Sequence, residues 1–428
     1  MGSYHGLWPK PELDFQDEIK SYESVFRSLR DQLSDVEFYV DSLITEVDQI
    51  KRLQGKLQEV DGILAIHFNI GVSSILDETL SLNKPTMVFA VPYSGHEWVH
   101  WGQLRNTPKG AKLDCILSSD LSQLAAAVRP FRAIHHLREA KVLNLTTRDF
   151  SHQAEQIKDK FGTEIKRIEL GDVEQAYMDV DSDAAWSEAS RWIKQAEQVV
   201  EPSQEDILKS ARLALAFEDI LNREEATVLT VDCYGSMWDT SIRLPAYPCL
   251  GFARLNNLGW GGICESDLRS AVTHILFQGL VGRPGFISDP TVDESNGTIV
   301  LAHCLGTPKM EGPDNPAAPY KLRSIMERRE GVVPQVQMKQ GQVVTQAILA
   351  DMEKIRYFTG QIVDTPVALS DNRGCRTKIT VKVDGDITQL WQNWGDGLHR
   401  QTVYGNITRE LGRFCRFTDT QLINEAGG

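Results

Sequence analysis

The chain has 428 residues, enough for two or three domains with ample core, and its 41 % apolar and 24 % charged content is that of a soluble globular protein. A formal charge of −14 without a basic stripe excludes a nucleic-acid binder, and no apolar run approaches the roughly 18 residues of a membrane helix. The seven cysteines are scattered without a CxxC pair, which fits neither a disulfide framework nor a structural zinc site and points to reduced thiols in a cytoplasmic protein.

In chain order, a Pro- and Gly-punctuated opening is followed by Ile19, Tyr22, Phe26, Leu29 and Leu33, spaced as one buried helix face. Residues 37–40 read as a strand. Val47, Ile50, Leu53 and Leu57 mark a second helix, and residues 62–67 (GILAIH) a short buried strand. A helix over about 71–82, the turn Asn83-Lys84-Pro85 and a strand over 86–91 complete a βαβ rhythm. A chain of this type usually opens with a strand, so the first strand is expected to be missing or replaced. His67 and His96, with Trp98, fall just after strands, where open α/β sheets bind ligands. Strand-end histidines satisfied by backbone hydrogen bonds fit the same pattern.

A helix over about 121–139 leads into a second alternation: strands at 141–145, 164–170 and 226–231, and helices at about 151–161, 184–199 and 204–222. The predicted class is therefore α/β, with two doubly wound domains, 1–125 and 126–306. Beyond Pro308 short alternating runs at 342–348, 353–362, 378–383 and 400–404 predict a mostly β C-terminal domain, 307–428.

The most informative stretch is residues 250–306. Glu265 and Asp267 stand where a Gly-rich turn (Gly259, Gly261, Gly262) runs into an apolar helical pattern. Asp289 follows the turn Gly282-Arg283-Pro284-Gly285, and His303 ends the apolar run 298–302. Carboxylates and imidazole without thiolate suit a hard divalent ion, Mn²⁺ or Mg²⁺. Such a site could chelate adjacent substrate oxygens while a carboxylate moves a proton beside a carbonyl. Asp267 also fits a helix N-terminal carboxylate, His274 a packed core histidine, and Cys264 and Cys304 small buried fillers. In the C-terminal part His399 lies among glycines and aromatics. Arg373, Trp391 and Trp394 could contact a sugar by hydrogen bonding and stacking, or pack the domain.

The surroundings of Glu265, Asp289 and His303, with His399-Arg400 and Tyr404-Gly405, resemble the L-fucose/L-arabinose isomerase superfamily of Mn²⁺-dependent aldose–ketose isomerases. The resemblance is clearest over about 200–306 and extends to the unit GILAIHFNIGVSSILDETLSLNKPTMVFA. It implies a metal held by Glu265, Asp289 and His399, with His303 as a further ligand by likeness to the arabinose branch. Mn²⁺ would be the ion, with Mg²⁺ or Co²⁺ as substitutes, and Glu265 and Asp289 would be catalytic. It also implies a homotrimer or homohexamer in which His67, His96 and Trp98 reach a neighbouring subunit's site. By side-chain chemistry alone, not by the resemblance, Arg373 and Trp394 are the further expected substrate contacts. The expected substrate is an open-chain pentose, hexose or deoxysugar; an epimerase, an isomerase of a modified sugar, or a non-catalytic sugar-binding relative are the alternatives.

Overall fold

A computed structural model describes residues 1–234, 241–370 and 373–427. The chain is mixed α/β and divides into two compact units, Met1–His135 with Glu410–Thr420, and His136–Arg409 with the segment from Gln421 onward.

The first unit holds a parallel sheet in the order β1 (Ile63–Ile66), β2 (Thr86–Ala90), β3 (Leu113–Leu117). Helices Phe15–Ser28, Val47–Glu59, Ser73–Leu80 and Trp98–Leu104 accompany it. The predicted strand at 37–40 does not form. Phe38 makes an edge contact with Phe26, ring centroids 5.0 Å apart, yet stays largely exposed, so nothing buries this segment against a sheet. In place of an opening strand, Met1 bonds along the edge of β1 away from β2: its amine donates to the Ile66 carbonyl, and its own carbonyl accepts from the Phe68 N–H at 2.9 Å. The sequence reading passed over β3, where Asp114 interrupts the apolar run; that carboxylate is offset by Arg105 at 3.3 Å and Arg413 at 3.8 Å.

The second unit begins with β4 (Lys141–Leu145) and β5 (Glu164–Arg167). A short β6 (Gln198–Val199) precedes β7 (Val228–Val231) and β8 (Gly261–Cys264). The four-stranded parallel sheet runs β5-β4-β7-β8, so strand order turns between β4 and β7. Gly261 and Gly262 are strand residues, not a turn as the sequence suggested; the turn is Gly259, with φ +86°. A Cβ on Gly262 would lie 2.3 Å from the Phe252 Cα, so the missing side chain is what lets the helix Cys249–Asn257 lie on β8.

Six strands close an antiparallel barrel: β9 (Phe286–Asp293), β10 (Thr298–His303), β13 (Val343–Ala350), β14 (Lys354–Asp364), β15 (Thr377–Val383) and β16 (Arg400–Tyr404). The cycle β13-β16-β9-β10-β15-β14 returns to β13, which abolishes the sheet edges. The barrel takes its first two strands from ahead of residue 307. β11 (Tyr320–Arg323) and β12 (Val333–Val336) form a separate small sheet with β6, and β17 (Gln421–Asn424) extends β14 in parallel.

Between the parallel sheet and the barrel runs the helix Leu268–Val281, which packs against β7, β8, β13 and β16. It is buried on nearly every face, Ser270, Thr273 and His274 as well as Leu268, Val272, Ile275, Leu276, Phe277 and Leu280, as expected of a helix packed between layers. Gly282 ends it in the left-handed conformation, φ +65°. His274 on this helix is a core residue: its Nδ1 accepts from the Gly285 N–H at 3.2 Å and its Nε2 faces the Trp260 carbonyl at 3.1 Å.

Candidate metal centre

Barrel register brings distant residues to one rim. Ala302 pairs with Asp289 and Arg400 with Ser288. His303 therefore stands one position beyond Asp289 on β10, and His399 immediately precedes β16 on the other side of β9. Glu265 arrives from the end of β8. It and Ser266 both adopt left-handed conformations, φ +62° and +57°. Two consecutive non-glycine residues there mark a locally costly turn, of the kind that persists where surrounding structure over-determines it. Arg148 caps the turn by donating to the Glu265 carbonyl at 3.0 Å, and the Ser266 hydroxyl bonds Asn144 Oδ1 at 2.5 Å.

His399 is the hub. Its Nε2 lies 3.3 Å from Asp289 Oδ1 and 3.7 Å from Glu265 Oε2, while its Nδ1 lies 3.3 Å from Asp267 Oδ2. A nitrogen of His303 lies within 4.8 Å of the ligand atoms of both Asp289 and His399. All these residues belong to the second unit.

The electrostatics follow from burial and charge. Burial lowers the His399 imidazole's affinity for a proton, but hydrogen bonds to Asp267 and Asp289 and the Glu265 charge overcome it and raise its pKa to about 10. His303 is pushed well below the usual histidine value, first by burial and then by the positive His399 beside it. Burial, with Asp289, Asp267 and Asp232 close by, raises Glu265 despite the attraction of His399. Burial also opposes ionisation of Asp267, yet the His399 and Ser270 hydrogen bonds hold its carboxyl below the ordinary carboxylate range. Asp289 is likewise held low, because His399 outweighs the cost of its burial.

Asp267 has two jobs. It caps the helix Leu268–Val281, accepting from the Ser270 N–H at 3.1 Å and the Ser270 hydroxyl at 3.0 Å. The sequence supported that cap, but not the contact to His399, which comes from 132 residues away. A carboxylate on Nδ1 orients an imidazole so that Nε2 faces an ion. Asp267→Asn keeps a good N-cap but weakens that orientation. The expected result is a folded protein with a lowered melting temperature, since the charge pair with His399 is lost, and metal affinity lower by roughly 10- to 100-fold, read by calorimetric titration.

His303 is differently set. The Leu305 backbone N–H donates to its Nδ1 at 3.1 Å. A backbone N–H can only donate, so the neutral ring carries its proton on Nε2, which faces Glu265 Oε1 at 4.0 Å. In that tautomer His303 offers a donor, not a lone pair. The ligand atoms of Asp289, His303 and His399 lie within 4.8 Å of one another, as do those of Cys264, Glu265 and His303; with the His303 lone pair engaged, the hard donors left are Glu265 and Asp289, which meet at His399 Nε2.

The remaining predicted contacts are dispersed. His67 is fully buried, and its Nε2 is taken by Glu97 at 2.8 Å. Glu97 also accepts from the Gly71 N–H and the Ser73 hydroxyl. His67 therefore orders the start of the helix Trp98–Leu104 and presents no surface to a substrate. His96, its ring centroid 5.2 Å from that of Trp8, and Trp98, 56 % accessible, stand on the exterior of the first unit. Trp394 lies under the Arg400 guanidinium at 4.3 Å and bonds the Gly397 carbonyl at 3.1 Å, so it braces the segment before β16. The exposed Trp391 donates to Glu294 at 2.7 Å. Arg373 is an exposed loop residue whose carbonyl accepts from Lys378 at 2.6 Å; its neighbours Asp371 and Asn372 lie outside the described residues.

Sequence reasoning overlooked Arg148 and Asp232, joined by an ion pair of 2.7 Å. They follow β4 and β7, the strands between which the sheet order turns, and that placement is the signal that could have found them. Among the described residues no helix is long and apolar enough to cross a membrane. No protein-family model matches the chain, and comparison with curated proteins finds no match.

Proposed function

We propose that the protein is a metal-dependent aldose–ketose isomerase of an open-chain pentose, hexose or deoxysugar, related to the L-fucose/L-arabinose isomerase superfamily. The observation that carries this reading is the convergence of Glu265, Asp289 and His399 from three separate segments, with His399 turned by Asp267 so that its Nε2 faces both carboxylates. Mn²⁺, or Mg²⁺ or Co²⁺ in its place, would supply Lewis-acid polarisation of two adjacent sugar oxygens when bound by these three residues.

Each side chain then has a role. Asp289, 3.3 Å from His399, stays ionised as a ligand and assists proton movement between oxygens. Glu265 stands 3.7 Å or more from both imidazoles, which leaves its oxygens the freer to carry the proton between C1 and C2 through an enediol. His303 points its Nε2 proton towards Glu265 from 4.0 Å, beyond hydrogen-bond distance. Arg148 holds the Glu265 backbone, so the base is anchored through its main chain.

The same reading takes both parallel sheets as doubly wound, the reactive carboxylate lying at the carboxyl end of a strand of the second, as ligands do in such sheets. It also takes the assembly as a homotrimer or homohexamer in the cytoplasm, in which His96 and Trp98 of one subunit approach the substrate of the next. The test is product analysis. Metal-stripped protein is incubated with an aldose panel, with and without Mn²⁺. Mn²⁺-dependent ketose formation is expected. An epimeric aldose without ketose would shift the assignment to an epimerase, and metal binding without turnover of any sugar would favour a non-catalytic sugar binder.

A further inference from the structure

Next along the same rim lies a second cluster of a different chemistry. Cys304 follows His303 at the end of β10, and Cys375 precedes β15, whose Thr377 pairs with His303. The loop between β11 and β12 brings Glu327 over both. Cys304 Sγ donates to Glu327 Oε2 at 3.6 Å, and the one proton of Cys375 Sγ is shared between Glu327 Oε1 at 3.8 Å and Cys304 Sγ. All three ligand atoms lie within 4.8 Å of one another.

We infer that Cys304, Cys375 and Glu327 form a binding site for a thiophilic divalent ion, Zn²⁺ by preference, separate from the oxygen–nitrogen centre. Three features point there. With zinc–sulfur bonds of about 2.3 Å and zinc–oxygen bonds of about 2.1 Å, the sulfur–oxygen edge of a tetrahedron is about 3.6 Å, close to the spacing already present. The backbone N–H groups of Met326 and Arg376 donate to Cys304 Sγ, as suits a sulfur that carries negative charge once metallated. Behind the thiols lie Cys249, Ile325 and Val333, an apolar wall that offers the ion no competing hard oxygen. Binding releases both thiol protons to solvent, and the ion takes their place between the two sulfurs and the Glu327 carboxylate. Thiolates select zinc over manganese, so the two rim sites would sort two ions. The inference does not depend on the isomerase reading.

The test uses Co²⁺ as a spectroscopic stand-in, added to reduced, metal-free, full-length protein. A near-ultraviolet sulfur-to-cobalt charge-transfer band is expected. It should be bleached by one equivalent of Zn²⁺ and be insensitive to Mn²⁺. Cys375→Ser should remove most of the band. Glu327→Gln, on an exposed loop residue, should weaken Co²⁺ binding by roughly tenfold or more with circular dichroism unchanged. His399→Gln should leave the band in place. Absence of the band in the reduced protein, or its full persistence in folded Cys375→Ser, would overturn the site.

Discussion

Glu265→Gln abolishes metal-dependent proton exchange at the sugar carbon while the protein keeps its fold. Gln matches Glu in size, and the residue's backbone contacts, to Arg148 and at the left-handed turn, do not involve the carboxylate. Loss of the basic carboxylate at that position costs a positioned base, worth roughly 10²- to 10⁴-fold in rate. Because the same carboxylate is a metal ligand in this account, affinity for Mn²⁺ falls too, and the rate is compared at saturating metal. Stability is expected to hold or rise slightly, since Glu265 sits among Asp289, Asp267 and Asp232 and its neutral replacement relieves that repulsion. The measurement is exchange rate at saturating metal beside a denaturation curve; a folded variant with wild-type exchange would remove Glu265 from the mechanism.

Metal uptake by the stripped protein releases about one proton per ion at neutral pH. The source is His399, whose pKa of about 10 means that it is protonated over the whole physiological range until an ion displaces the proton. Apparent affinity should therefore rise by about tenfold per pH unit as pH increases towards that value. Stability of the metal-free protein runs the other way. A raised histidine contributes fully below its ordinary value of 6.5, and that contribution is lost as pH rises through about 10. Asp267 and Asp289, held low, contribute above the ordinary value of 3.8 and lose that contribution as pH falls through their lowered values. His399, Asp267 and Asp289 together favour the stripped protein between roughly pH 4 and 6.5, but His303, held low by burial, subtracts stability as pH falls below 6.5, so the maximum is expected near the upper end of that window, and metal should extend the stable range upward. Titration calorimetry in buffers of different ionisation heat counts the protons; zero released at pH 7 would contradict the assignment of His399 as both proton holder and ligand.

Much of this was legible from the chain, and the illegible part has a physical reason. Amphipathic spacing located the helix Val47–Glu59, and compact apolar runs located β1, β2 and β4. Alternation found four barrel strands close to their true bounds. The resemblance to sugar isomerases singled out Glu265, Asp289 and His399, which the fold brings to one rim. What no local pattern carries is register. That Asp289, His303 and His399 share a rim depends on β10-β9-β16 adjacency, and the barrel's start at Phe286 was hidden because Phe286–Asp293 and Thr298–His303 continue a stretch that reads as α/β. The second role of Asp267 and the approach of Cys304, Glu327 and Cys375 are long-range for the same reason. The helix Leu170–Asp179 was passed over as well: its short apolar face, Val173 and Ala176, is too weak a signal beside so many acids. His303 shows a subtler limit. Its candidacy as a ligand rested on resemblance, whereas its tautomer follows from one backbone N–H two residues on.

In the proposed reaction these residues, with a hard divalent ion, move a proton between C1 and C2 of an aldose. Incubation of metal-stripped protein with an aldose panel in D₂O, with and without Mn²⁺, addresses it directly. The account predicts Mn²⁺-dependent deuterium at C2 of one aldose and at C1 of its ketose, absent in Glu265→Gln. Stoichiometric binding of Mn²⁺ at Glu265, Asp289 and His399 with no deuterium entering any sugar would contradict it.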